Sequence, residues 1–167
     1  EHKGTEQALV ASGVPYVILR NGWYIENYTQ HLDTTLKLKS MFGAANDGKV
    51  SLAPRADYAS AAVAVLTGSG HENKTYTLGG ESLTLAQLAE KFSRWAGLPI
   101  TYVNLPEADF AAALKQAGLP EAMAAVFANV DAHLAKGELE VKTGDLERLL
   151  GRKPVSVEAF LSTLPKP

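Results

Sequence analysis

The chain has 167 residues, 46% hydrophobic and 20% charged, which is enough apolar material for one packed domain or a piece of a larger one and too little charge for a disordered chain. A net charge of −2 without a run of like charges argues against nucleic-acid binding by phosphate neutralisation, and the longest apolar runs, such as residues 14–19, are far too short to cross a bilayer. The lack of cysteine excludes disulfides, a thiolate nucleophile and a thiolate metal site, and with no secretory signal in view the expected compartment is the cytoplasm.

The chain opens inside a helical pattern without an initiator Met, so an upstream segment is expected. Residues 2–12 read as a helix with Ala8, Leu9 and Ala11 on its apolar face and Ser12-Gly13 as its stop. Residues 14–19 are near-continuously apolar and rich in β-formers, the pattern of a strand buried on both faces of a helix-covered parallel sheet. The few other strands in view cannot complete such a sheet, so this strand expects neighbours from outside the chain. Asn21-Gly22-Trp23-Tyr24 breaks the pattern, and a helix is expected over about 24–39, followed by a loop at 43–48 and a short strand at 50–53.

Residues 57–66 form an alanine-rich helix pattern, and 75–78 a strand closed by Gly79-Gly80. Thr84 and Gln87 have the spacing of a capping box opening a helix over Leu85–Ala96, with Gly97 as its stop. A strand at 100–103, helices at Glu107–Gln116 and Glu121–Ala135, and two short helices near 144–150 and 157–164 complete the chain. The order is α/β with a helix-rich C-terminal portion.

The best site candidate is the segment from Asn21 to Asn27, which leaves the C-terminal end of the first strand, where open α/β sheets bind ligands. Asn21-Gly22 permits a tight turn with its backbone offered to a ligand, Trp23 and Tyr24 present flat faces to a planar ring, and Glu26 and Asn27 supply hydrogen bonds. The bland alternative is a helix-start loop whose aromatics plug the core. His2 and Glu6, four apart on one helix face, are either an acid–base pair or an exposed charged pair. Arg55 and Asp57 either cap the alanine-rich helix or reach the Asn21–Asn27 segment. His31, His71 and His133 lack metal-ligand spacing and read as surface residues, so no metal is expected. Phe110, Leu114, Met123, Val126, Phe127 and Val130 recur at helical spacing, either as a lid facing a ligand or, the preferred reading, as ordinary core. There is no GxGxxG or phosphate-cradling loop and no serine in a nucleophile elbow.

Several runs carry a family resemblance: His2-Lys3-Gly4-Thr5-Glu6, Leu19-Arg20-Asn21-Gly22-Trp23-Tyr24, Arg55-Ala56-Asp57-Tyr58-Ala59, and Ala108-Asp109-Phe110. Together they resemble the NmrA-like branch of the atypical short-chain dehydrogenases, and more narrowly the bacterial NAD(P)H:quinone oxidoreductases of type 2. The resemblance covers this whole chain but only about the last three-fifths of the family's length. It implies the C-terminal part of a Rossmann-type NAD(P)-binding fold, with the glycine-rich half upstream. Residues 1–40 would be the end of the Rossmann-type region with the active-site loop, and 41–167 a smaller substrate-side domain.

By the same resemblance the complete protein would pass a hydride from NADPH to a small quinone. Asn21 and Gly22 would touch the cofactor, Trp23, Tyr24, Glu26 and Asn27 the substrate, and His2 would donate a proton. The chain alone is expected to be inactive. One departure matters: where typical short-chain dehydrogenases place a Tyr-x-x-x-Lys pair, this chain has His2 near the tyrosine position and Glu6 at that of the lysine, and a carboxylate there does not supply the lysine's charge that the usual tyrosinate mechanism uses. An NADP-sensing regulator without turnover, or a stand-alone module that pairs as a homodimer through its first strand, are the alternatives.

Overall fold

The structure, a computed structural model, describes residues 2–167. Helix α1 (His2–Ala11) ends where the Ser12 amide returns to the Ala8 carbonyl, and Gly13 takes φ 71°, the left-handed turn that glycine adopts without strain. No α1 residue is buried; of the expected apolar face only Leu9 is even half-covered.

Strand β1 (Val17–Asn21) runs parallel to β5 (Lys74–Leu78), with Val17 opposite Lys74 and Asn21 opposite Leu78. It corrects the expected strand twice. It begins three residues late, and it is not buried on both faces: Val17 to Leu19 are half-buried, and Arg20 and Asn21 are exposed. Side chains alternate along a strand. Val17 and Leu19 therefore turn together toward Tyr58 and Ala61 of α4 (Arg55–Thr67), Tyr76 and Leu78 of β5, and Leu146 of α8 (Asp145–Leu150). Ile18, on the other face, joins no buried cluster among the described residues. The layer around β1 is thus assembled from stretches far apart in sequence.

A second sheet orders β2 (Trp23–Tyr24), β4 (Lys49–Ala53) and β6 (Glu81–Thr84), with β2 parallel and β6 antiparallel to β4. A third pairs β3 (Ser40–Gly43) in parallel with β7 (Thr101–Asn104). Pairing of Trp23 and Tyr24 with Leu52 and Ala53 pulls them out of the helix expected from residue 24. What remains of that helix is split into α2 (Glu26–Thr29) and α3 (Leu32–Leu38), because His31 sits at φ −111°, outside helical geometry. The main core fills the space between these sheets and the helices α5 (Leu85–Ala96) and α9 (Val157–Leu161), around Ile25, Val50, Leu52, Leu88, Phe92 and Leu161.

Helix α5 matches its expected bounds. Thr84 Oγ1 accepts the Gln87 amide at 3.1 Å, Gln87 Oε1 accepts the Thr84 amide at 2.9 Å, and Gly97 closes the helix at φ 66°. Helices α6 (Glu107–Gln116) and α7 (Glu121–Ala135) form a hairpin. Phe110 and Leu114 pack inward, as the core reading expects, but Met123, Val126 and Phe127 are 49%, 60% and 37% exposed. The core reading fails for these three because α7 buries its small side instead: Ala124 and Ala128 are almost wholly covered.

Candidate functional site

The site begins at Gly22, between β1 and β2. Its amide donates to the Leu78 carbonyl at 2.7 Å, and a Cβ there would lie 2.8 Å from that oxygen and 3.1 Å from Tyr58 Oη. Glycine is required because backbone from β5 closes on the junction. The Gly22 N–H is therefore committed to Leu78 and is not the part of this backbone offered to a ligand. Asn21 is exposed at the end of β1, and its Nδ2 lies 3.5 Å from Tyr24 Oη, the outer limit of a hydrogen bond.

Trp23 and Tyr24 point to opposite sides of β2. Trp23 packs on the main core, and its carbonyl accepts the Tyr58 hydroxyl at 3.3 Å. Tyr24 turns toward the β1 layer, edge-on to Tyr58 with ring centres 5.3 Å apart at 72°. Burial, with Tyr24, Asp57 and Glu26 beside it, pushes the Tyr58 hydroxyl above the usual phenol range, so it remains a donor.

Arg55, the first residue of α4, joins the rest of the segment. Its guanidinium carbon lies 4.3 Å from the Tyr24 ring centre, Nη2 donates to Asn27 Oδ1 at 3.0 Å, and its amide donates to both Glu26 carboxylate oxygens at 2.9 and 3.2 Å. Pro54 precedes the helix and makes no side-chain cap, so Glu26 supplies from a distance the negative charge that a helix N-terminus favours. Of the two readings of Arg55 and Asp57, each residue takes one. Arg55 reaches the Asn21–Asn27 segment. Asp57, 1% exposed, accepts Arg152 Nη2 and the Val155 amide, both at 2.7 Å, and is structural.

His2 is exposed on α1, and no hydrogen bond or ion pair joins it to this cluster. Glu6 does not pair with His2 as an acid–base couple. It takes Arg20 two-pronged, Nε to Oε1 at 2.9 Å and Nη2 to Oε2 at 2.5 Å, and that hydrogen bonding holds its carboxyl below the usual range. His31 is exposed beside Gln30, and His133 pairs with Glu138 at 2.8 Å. His71 and His133 correct the surface reading: both are half-buried, and His71 Nδ1 lies 2.8 Å from Tyr76 Oη.

A second polar cluster gave no sequence signal. Asp131 of α7 accepts the Ala44 amide at 2.8 Å, Tyr102 Oη accepts the Ala45 amide at 3.0 Å, and Tyr102 donates to Asn104 Oδ1 at 2.9 Å. Burial pushes Asp131 up to about 6, against the Ala44 hydrogen bond, and raises the Tyr28 and Tyr102 hydroxyls. These residues come together from α2, β7, α7 and the loop after β3, at separations that no local motif spans.

No protein-family model matches the chain. Over 165 residues, 98% of its length, it is 45% identical to quinone oxidoreductase 2 of Escherichia coli strain K12. Over nearly its whole length the chain is thus similar to an NADPH-dependent quinone oxidoreductase. Its fold matches the crystal structure of the E. coli NADPH-dependent quinone oxidoreductase complexed with NADPH over 97% of this chain, with a TM-score of 0.94 and 44% identity. It matches triphenylmethane reductase of Citrobacter sp. complexed with NADP(H) over the same share, with a TM-score of 0.89 and 29% identity. The α/β class and its place in a Rossmann-type NAD(P)-binding fold hold. The chain spans 58% of the E. coli relative's length and 57% of the Citrobacter one.

Proposed function

We propose that this chain is the substrate side of an NADPH-dependent reductase that passes a hydride to a small quinone. The observation that carries the reading is the cluster of Tyr24, Arg55 and Asn27 at the end of β1 and β2, in a chain 45% identical over nearly its whole length to a quinone oxidoreductase. The donor set suits the nicotinamide end of the cofactor: the exposed Asn21 amide offers both a donor and an acceptor to a carboxamide, and Tyr24 offers an aromatic edge. It does not suit the phosphates, since the sequence holds no glycine-rich cradle. The bound cofactor would supply the hydride; the chain's part is to orient a flat acceptor and to exclude water around it. Two cofactor-linked relatives are named for conjugated acceptors, a quinone and triphenylmethane dyes, and this favours a conjugated, hydride-accepting substrate.

The test is NADPH oxidation by the whole protein with small benzoquinones and naphthoquinones, beside the 167-residue chain alone. Turnover by the whole protein and none by the chain is the expected pair of results. Turnover by neither removes the quinone-reductase reading. A second reading, an NADP sensor that regulates a partner without turnover, draws on one observation: Glu6, in the position that resembles the family's lysine, is consumed by Arg20 and supplies no cation. Tight NADPH binding with no acceptor reduced would favour it.

A further inference from the structure

We propose that Arg55 is a catalytic residue that takes the acceptor's carbonyl oxygen and stabilises the negative charge that reduction leaves on it. The inference rests on the quinone-reductase reading above.

Five arginines are present: Arg20, Arg55, Arg94, Arg148 and Arg152. Four pair with a carboxylate, respectively Glu6, Glu158, Asp145 and Asp57. The Arg55 guanidinium alone forms no ion pair among the described residues. Glu26 lies close, but its carboxylate binds the Arg55 amide and not the guanidinium. Nη2 is used by Asn27, and the remaining guanidinium N–H groups have no protein partner among the described residues. Arg55 is nevertheless held: its guanidinium carbon lies 4.3 Å from the Tyr24 ring centre, Nη2 donates to Asn27, and the residue is exposed where β2 ends. A positioned cation with open donors is what an acceptor with a carbonyl oxygen requires, and the planar fork suits an oxygen with two lone pairs.

The step balances with the reactants proposed above. The quinone gains a hydride, which is one proton with two electrons, from the reduced nicotinamide, whose C–H bond breaks and which is left oxidised. The electron pair ends on oxygen as the hydroquinone monoanion. That anion takes one proton from water. Arg55 acts on the charge before the proton arrives. Glu26 opposes it only in part, since its own charge faces the N-terminus of α4.

The experiment compares the whole protein with Arg55→Lys, Arg55→Gln and Arg55→Ala, using NADPH and a series of benzoquinones of rising electron density. Arg55→Gln is expected to lower kcat/KM by about 100-fold, as loss of one oxyanion donor does, with Arg55→Lys intermediate. The loss is expected to grow for electron-rich quinones, whose hydroquinone anions are more basic, and added methylguanidinium should restore part of the Arg55→Ala rate. Melting and NADPH-affinity measurements on the Gln and Lys variants keep a folding defect apart from a chemical one. A loss equal for every quinone and without rescue, or no loss at all, overturns the role of Arg55 and leaves the quinone-reductase reading intact. A wild-type protein that reduces no quinone overturns both.

Discussion

Asp131 on α7 accepts the backbone amide of Ala44, just past the end of β3, at 2.8 Å, and so ties the α6–α7 hairpin to the β3–β7 sheet. The fit is close: a Cβ on Gly43 would lie 2.6 Å from the same carboxylate oxygen. This bond is made by a carboxyl group that burial pushes from 3.8 up to about 6. Its folded-state pKa is above its unfolded one, so its favourable contribution is complete below about 3.8 and is lost as pH rises through about 6. The two values correspond to roughly 3 kcal/mol, of which about 2 kcal/mol falls between about pH 4.5 and about pH 7.5. Asp131→Asn keeps an acceptor for Ala44 and removes the titration. Its stability relative to wild type, measured by denaturant unfolding, should improve by about 2 kcal/mol across that interval. A difference that does not change with pH would show that Asp131 is solvated in the native state.

Asp57 is a buried carboxylate with a hydrogen bond to each oxygen. It holds Arg152 and the Val155 amide from the first turn of α4, and so fixes the link between α8 and α9. Because Arg152 is half-exposed and can return to water, Asp57→Ala should cost about 3 kcal/mol, the lower end for breaking a buried pair. That is a melting-point fall of about 10 °C for a chain of this size. Asp57→Asn, which keeps one acceptor, should lose about half as much. If Asp57→Ala melts with the wild type, the link between α8 and α9 is held by apolar packing alone.

The sequence showed most clearly those elements whose ends carry their own chemistry. Helix α5 has its capping box and its glycine, and its bounds match the expected ones. Strands β2, β3 and β6 went unseen because two to four residues of mixed polarity make no periodic pattern, and they exist through pairing with distant partners. The Asn21–Asn27 segment stood out through its aromatics. Its organiser, Arg55, lies 28 residues beyond Asn27, and nothing local distinguishes it from a helix-start arginine. On α7 the helical period was visible, but which side faced inward was not. Alanines 124 and 128 allow close packing on α6, and that decided it against the larger Met123, Val126 and Phe127.

Gly22 couples stability to the site. With the Leu78 carbonyl 2.8 Å and the Ser51 carbonyl 3.3 Å from a would-be Cβ, Gly22→Ala must move backbone, at a cost of about 1–3 kcal/mol. The shift would separate the end of β1 from β5 and carry Trp23 and Tyr24 with it, so the KM for quinone in the whole protein should rise along with the loss of stability. Gly4→Ala is the control: it lies inside α1 with nothing within 4 Å of a Cβ, and should be neutral or stabilising by up to about 1 kcal/mol. Equal behaviour of the two variants would mean that the β1–β2 junction tolerates a side chain.

Glu6 and Arg20 should decide whether α1 stays docked. No α1 residue is buried, and this two-pronged pair joins the helix to β1, one residue before Asn21. Both groups are solvated, so the anchoring is sensitive to salt and to pH. The Glu6 carboxyl is depressed in the folded state by its bond to Arg20. Its contribution is therefore present above the ordinary value of 4.5 and is lost as pH falls through the lowered one. Hydrogen exchange of the His2–Ala11 amides in the 167-residue chain should be faster in Glu6→Gln than in wild type near neutral pH. In acid, or in roughly 1 M salt, wild type and Glu6→Gln should exchange alike under the same conditions. Amides that exchange alike in both proteins at every pH would show that α1 is held by its own helical hydrogen bonds, and that Glu6 has no part in presenting the end of β1.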